Sequence, residues 1–89
     1  LQLVNQRLVA NPMEPRGAIC EYDAGDDRST LWLSSQGVHM IRPVVADMIL
    51  KIGSPKLRVR TGDVGGGFGM KIFVHPEYPM IVWASRLLK

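Results

Sequence analysis

Lys56-Leu57-Arg58-Val59-Arg60-Thr61-Gly62-Asp63-Val64-Gly65-Gly66-Gly67-Phe68-Gly69-Met70-Lys71 is the stretch on which the fold turns. Lys56, Arg58 and Arg60 alternate with Leu57 and Val59, the pattern of a strand with one face on a core and the other in water. The three basic residues are therefore read as a solvated strand face, not as a surface for an anionic partner. Beyond the strand the chain enters a loop, because four glycines in five positions, Gly65 to Gly69, suit neither strand nor helix.

Those glycines give up chain entropy that alanines would have saved, on the order of 2 to 4 kcal/mol in all. That is a large share of the ~5 to 15 kcal/mol that keeps a domain folded, so the loop needs a reason. Glycines let main-chain amides reach a phosphate or a pterin edge without a Cβ in the way. Alternatively, the loop is a tight turn under a packed neighbour, and local sequence leaves both reasons open. Phe68, a bulky ring held between glycines, suits the wall of a pocket. The glycines cannot be placed as G-x-G-x-x-G, and Lys71 lacks the preceding glycine of a phosphate-binding P-loop, so neither nucleotide signature applies.

Upstream, Ala18–Tyr22 and Ser29–Leu33 are short and rich in strand formers, separated by Asp23-Ala24-Gly25-Asp26-Asp27, a hairpin loop in composition. Ser34-Ser35-Gln36-Gly37 then leads from the strand toward a helix, a place where ligands gather and where Gln36 can donate and accept hydrogen bonds. Ile41, Val44, Val45, Met48, Ile49 and Ile52 keep helical spacing on one face, and Gly53 and Pro55 end the helix. Pro43 belongs near its first turn, which sets the start between Val38 and Arg42. At the N-terminus, Leu1 to Val9 roughly alternates and reads as a first strand, broken by Asn11-Pro12.

Downstream, Met80 to Leu88 reads as a second helix with almost no polar face, which calls for cover on several sides. An 89-residue chain has too little material to provide that cover. The absence of an initial methionine and the apolar last segment point the same way, to an excerpt of something longer. The expected fold is α+β, a small mixed sheet of about four strands with two helices, in one unit spanning residues 1–89.

Composition excludes several classes. With 46% apolar and 21% charged residues the chain is neither disordered nor collagen-like. A formal charge of +3 with scattered basic residues gives no support for nucleic-acid binding. Cys20, the one cysteine, has no disulfide partner and is read as a small core residue, in a chain expected in the cytoplasm. No membrane span or leader is legible. His39 and His75 lack a second ligand at helical spacing, so no metal role is assigned to them. Glu14, Glu21 and Glu77 lack a recognisable acid or nucleophile beside them and are read as structural or solvent-facing, with Glu14, in its Pro-Met-Glu-Pro turn, of most interest.

Asn11-Pro12-Met13-Glu14-Pro15-Arg16-Gly17, Glu21-Tyr22-Asp23, Ser35-Gln36-Gly37 and Asp63-Val64-Gly65-Gly66-Gly67-Phe68-Gly69 with Lys71, in this order, resemble the molybdenum hydroxylases. These are the xanthine dehydrogenases, the aldehyde oxidoreductases and the large chain of aerobic carbon monoxide dehydrogenase. The resemblance implies an excerpt of a larger molybdenum-cofactor-binding domain, holding a molybdenum-molybdopterin in its cytosine dinucleotide form. By that likeness Gln36 matches the glutamine that hydrogen-bonds an oxo ligand of molybdenum, and Gly67-Phe68-Gly69 matches the segment lining the pterin and metal.

The implied cofactor-binding set is Gln36, Gly37, Gly66, Gly67, Phe68 and Gly69, with no catalytic residue and no direct metal ligand in this chain. The family's glutamate base lies in a motif that this chain does not contain. Implied partners are the rest of the molybdenum subunit, iron-sulfur and FAD-bearing subunits, and a small-molecule substrate. Ile72 stands where purine-oxidising members carry a substrate-contacting glutamate, which disfavours purines. The competing reading is a non-enzymatic binding or assembly module whose glycine loop serves packing.

Overall fold

Ala18–Asp23 (β1) and Arg28–Leu33 (β2) pair antiparallel, with Ala18 opposite Leu33 and Asp23 opposite Arg28. They form the centre of a computed structural model that describes residues 1–89. The turn between them is fixed locally: the Gly25 amide donates to Asp23 Oδ1 at 2.8 Å, an Asx turn. Asp27 takes a left-handed φ of 50°, a conformation that Asp tolerates better than most residues. Leu57–Arg60 (β3) lies parallel to β2, Ser29 opposite Leu57 and Trp32 opposite Arg60, giving the order β1-β2-β3. Parallel neighbours need a crossover, and residues 34 to 56 supply it.

The sheet is mixed and the class α+β, as expected, but it has three strands. Leu1 to Val9 form no strand: they adopt no regular structure and lie exposed. Alternating apolar residues make a half-buried strand only when they pair with a sheet edge. Leu1 to Val9 pair with neither edge strand, β1 or β3.

The crossover helix begins at Val38 as α1, Val38–Pro43, and continues through a wider turn, Val44–Ile49, with π-type bonding. The change falls at Pro43, which lies beyond the first turn rather than within it. Proline has no amide hydrogen to donate to the carbonyl four residues back, and its ring crowds that carbonyl, so the ladder re-forms one residue wider. The Leu50 amide accordingly reaches Val45 O at 2.9 Å. Widening the turn rotates the apolar stripe. Ile41, Val45 and Ala46 are buried, whereas Met48, expected on that face, is 70% exposed. Gly53, at φ 90°, ends the segment.

Glu77–Leu88 (α2) starts three residues earlier than the apolar run suggests, because Pro79 fits a first turn without loss. Tyr78, Pro79 and Val82 face the sheet. Together with Leu31, Leu33, Ile41, Val45, Ala46 and Leu57, Tyr78 and Val82 make one core, each full aliphatic burial contributing roughly 1.5 to 3 kcal/mol. The opposite side of α2 is not covered: Met80, Trp83, Leu87 and Leu88 stand exposed.

A polar cluster pins the far end. Asp27 pairs with Lys56 at 2.7 Å and with Arg86 of α2, and accepts from Tyr22 Oη at 3.0 Å. Arg86 also stacks on the Tyr22 ring. Contacts with Lys56 first, then Tyr22 and Arg86, hold the Asp27 carboxyl down at about 2. Of the basic stripe, Lys56 is thus engaged in an ion pair and Arg60 lies over Trp32 at 4.5 Å. Cys20 packs against the core from β1, and its Sγ accepts from Ser85 Oγ at 3.2 Å. Burial pushes that thiol up.

Candidate functional site

Parallel pairing sends β2 and β3 out of the sheet at the same end, so Ser34–Gly37 and the glycine loop leave side by side. The two exits are joined at once: the Ser35 amide donates to Thr61 Oγ1 at 3.3 Å. Crevices at the C-terminal ends of parallel strands are favoured ligand positions.

Gln36 is woven into the glycine loop. Its main-chain amide donates to Lys71 O at 3.0 Å. Its side-chain Oε1 accepts from the amides of Gly69, at 3.1 Å, and Lys71, at 3.2 Å. Two donors on Oε1 restrain the carboxamide, and its Nε2 has no acceptor within the chain. Gly37 caps α1, and its amide is taken by Ser35 Oγ at 3.0 Å.

The loop's glycines answer to different constraints. A Cβ on Gly67 would stand 2.5 Å from Gln36 Oε1, and one on Gly65 would stand 2.6 Å from Glu14 Cβ. Packing therefore accounts for both. Gly66 and Gly69 take φ of 106° and 84°, which only glycine adopts without strain. Packing does not account for Phe68, which is held at φ 51° with 74% of its surface exposed. Phe68 and Gly69, both left-handed, are the central residues of a tight turn closed by the Met70 amide donating to Gly67 O at 2.9 Å; the turn fixes the backbone but leaves the ring largely uncovered. The amides of Gly66, Gly67 and Phe68 donate to no acceptor in the chain. Main-chain donors, the Nε2 of Gln36 and an exposed aromatic ring are thus all uncommitted within the loop and the turn bonded to it. None of the four principal cavities is lined by Gln36 or Phe68, so the loop is a wall and not an enclosed pocket.

Behind the wall lies an arrangement that residue-by-residue reading missed. The Lys71 side chain is fully buried, and its ammonium meets Glu14 Oε1 at 2.6 Å. The Glu14 amide donates to Gly65 O at 3.3 Å. Hydrogen bonds from Lys71, then from Ser34 and the Gly65 amide, hold the Glu14 carboxyl down at about 2. Ser35, also buried, adds a bond from Oγ to Lys71 O at 3.4 Å. The one available signal was the sharing of the Pro-Met-Glu-Pro turn and the lysine-ended loop in a single chain. Elsewhere, His75 Nε2 bonds Met70 O at 2.9 Å and its ring meets Tyr78 edge-on, while His39 lies exposed on α1.

The chain is thus an α+β segment with unpaired backbone donors in the loop that follows a pair of parallel strands. The chain belongs to the molybdopterin cofactor-binding domain family, which it matches over residues 1–89. It is 37% identical over 83 residues to the nicotine 6-hydroxylase large subunit of Paenarthrobacter nicotinovorans, covering 93% of this chain and 10% of that one. It is 35% identical over 77 residues to the carbon monoxide dehydrogenase large chain of Hydrogenophaga pseudoflava, covering 86% and 10%. The crystal structure of quinoline 2-oxidoreductase from Pseudomonas putida 86 superposes with a TM-score of 0.82 at 39% identity, over 86% of this chain and 10% of that one. The chain thus spans about a tenth of the length of these relatives. No helix is long and apolar enough to cross a membrane.

Proposed function

We propose that this chain is one part of the molybdenum subunit of a molybdopterin-dependent hydroxylase and supplies one wall of its cofactor site. The observation that carries this reading is the set of uncommitted donors in the glycine loop and the turn bonded to it: the amides of Gly66, Gly67 and Phe68 and the Nε2 of Gln36. A cofactor rich in oxygen and ring-nitrogen acceptors fits such a donor set, and the exposed Phe68 gains a partner when a flat heterocycle lies against it.

The bound cofactor supplies the redox-active metal at which oxygen derived from water is transferred to substrate. The protein's part is positioning. Gln36, its Oε1 anchored by the amides of Gly69 and Lys71, would offer its free N–H to an oxygen ligand of the metal. Gly66, Gly67 and Phe68 would bring backbone donors to the pterin, Gly69 holds the Gln36 carboxamide that flanks them, and Gly37 keeps the chain clear where α1 begins.

The cytosine dinucleotide form of the cofactor, iron-sulfur and FAD partners, and a cytoplasmic setting belong to the same proposal. The substrate is a small molecule other than a purine, as Ile72 suggests. Relatives are named for nicotine, quinoline and carbon monoxide, and the proposed range is of that kind, with aldehydes included.

The test is to purify the full-length subunit with its partners, measure molybdenum and oxidised pterin per protomer, and follow turnover in ¹⁸O-labelled water. Stoichiometric cofactor and labelled product are expected. Protein free of both metal and pterin would overturn the reading and leave the glycine loop as a packing device of a non-enzymatic module.

A further inference from the structure

We propose that the Glu14–Lys71 ion pair is a positioning latch, joining the Pro12–Pro15 turn to the glycine loop and thereby setting the orientation of Gln36. The inference rests on the functional reading above and extends it to two residues that face away from the cofactor surface.

Lys71 is the junction. Its main-chain amide donates to Gln36 Oε1 at 3.2 Å, and its carbonyl accepts from the Gln36 amide at 3.0 Å. Backbone position at Lys71 is therefore carboxamide position at Gln36. The Lys71 side chain runs in the opposite direction into the protein, is fully buried, and meets a single partner, Glu14, at 2.6 Å. An ammonium taken out of water is tolerated only against a well-placed opposite charge. Glu14 is in turn seated from three sides. Its amide bonds Gly65 O at 3.3 Å, its Cβ fills the space that a side chain on Gly65 would need, and its carboxylate holds Lys71.

The two ends of the loop, Gly65 and Lys71, are thus both fastened to Glu14, and the segment between them carries the free donors. The carboxyl of Glu14, held at about 2 by Lys71 first and by Ser34 and Gly65 next, remains ionised at neutral pH. It serves as an anchor and is a poor proton acceptor. Partners that orient a ligand-holding group without touching the ligand commonly change affinity by roughly 10- to 100-fold when removed.

The experiment uses the full-length subunit with its partners, as wild type, Glu14→Gln, and Glu14→Gln combined with Lys71→Met. Three quantities are read: cofactor content per protomer, thermal stability, and amide hydrogen exchange over residues 65–71 in cofactor-free protein. Glu14→Gln should speed exchange over that segment and lower retained cofactor roughly 10-fold or more. The double variant, which removes the stranded charge, should recover thermal stability while cofactor content stays low. Recovery of cofactor together with stability would reduce the pair to ordinary structure and overturn the latch. Unchanged exchange in Glu14→Gln would overturn it as well. A wild type that carries no cofactor would instead remove the functional reading, while the exchange measurement still decides whether Glu14 fastens the loop.

Discussion

Gln36 and Gly67 occupy adjoining space so tightly that a single methyl on Gly67 would fall 2.5 Å from Gln36 Oε1 and 2.7 Å from its Cδ. The side chain cannot swing aside without giving up the amides of Gly69 and Lys71. The glycine at 67 is therefore a requirement of the glutamine at 36.

Gly67→Ala should destabilise the loop by ~1 to 3 kcal/mol, the usual cost of overpacking, and reduce cofactor content of the full-length subunit. Gly62→Ala is the control, because nothing lies within 4 Å of a Cβ at that position and its φ is not left-handed. Metal analysis and hydrogen exchange of both variants check the pair. Equal behaviour of the two would remove the constraint attributed to Gln36.

Gln36→Glu separates acceptor from donor. A carboxylate at 36 still receives the amides of Gly69 and Lys71, so expression and melting temperature should hold, but it has lost the free N–H. Turnover should fall on the order of 100-fold, the scale on which a lone catalytic-site donor acts. Gln36→Ala should lose the same turnover and also loosen the loop. Steady-state rates with melting curves read both, and unchanged turnover in Gln36→Glu would take the side chain out of the site.

Acid should loosen the protein at two named places. The carboxyls of Glu14 and Asp27 are both held at about 2, below their usual values near 4. A depressed folded pKa means that the native state binds the proton more weakly, so the stabilisation is complete above about pH 4 and disappears as pH falls toward about 2. Melting temperature tracked across that window should drop, and the drop should be shallower in Asp27→Asn, which starts lower at neutral pH. A variant whose acid profile matches wild type would show that Asp27 contributes nothing there.

Tyr78→Phe should be neutral or stabilising by ~1 kcal/mol. Tyr78 is 1% exposed and its hydroxyl has no hydrogen-bond partner; burial pushes its pKa up. Removing an unsatisfied buried hydroxyl recovers desolvation energy without losing a bond. A loss of more than about 1 kcal/mol by chemical denaturation would mean that Oη bonds something outside these residues.

Much of this architecture was legible because it is local. The hairpin came from strand formers on either side of the Asp23-to-Asp27 cluster, and β3 from strict alternation between Lys56 and Arg60. The misreadings have two causes, one distant and one local. Leu1–Val9 alternates like a strand, yet alternation does not say whether the segment pairs with a sheet edge, and here it pairs with none. Met48 keeps helical spacing, but one missing amide hydrogen at Pro43 changes the spacing itself. At the site, Gln36 and the glycine run were visible as residue types. Their mutual fit was not, because 33 residues separate Gln36 from the Gly69 amide it accepts. The salt bridge from Glu14 to Lys71 spans 57.

The β2–β3 ladder acts as a ruler for everything beyond it. Strand residues advance about 3.3 Å each, and a sheet keeps its inward face only if pairing slips in steps of two. The smallest slip that spares the core would therefore displace Thr61 past Ser35 by about 6.6 Å. Gln36 would then lie beyond reach of Gly69. A change at the exposed Lys51 corner of the crossover spares the loop while Ser29 still faces Leu57, and is ruinous to it once that pairing moves.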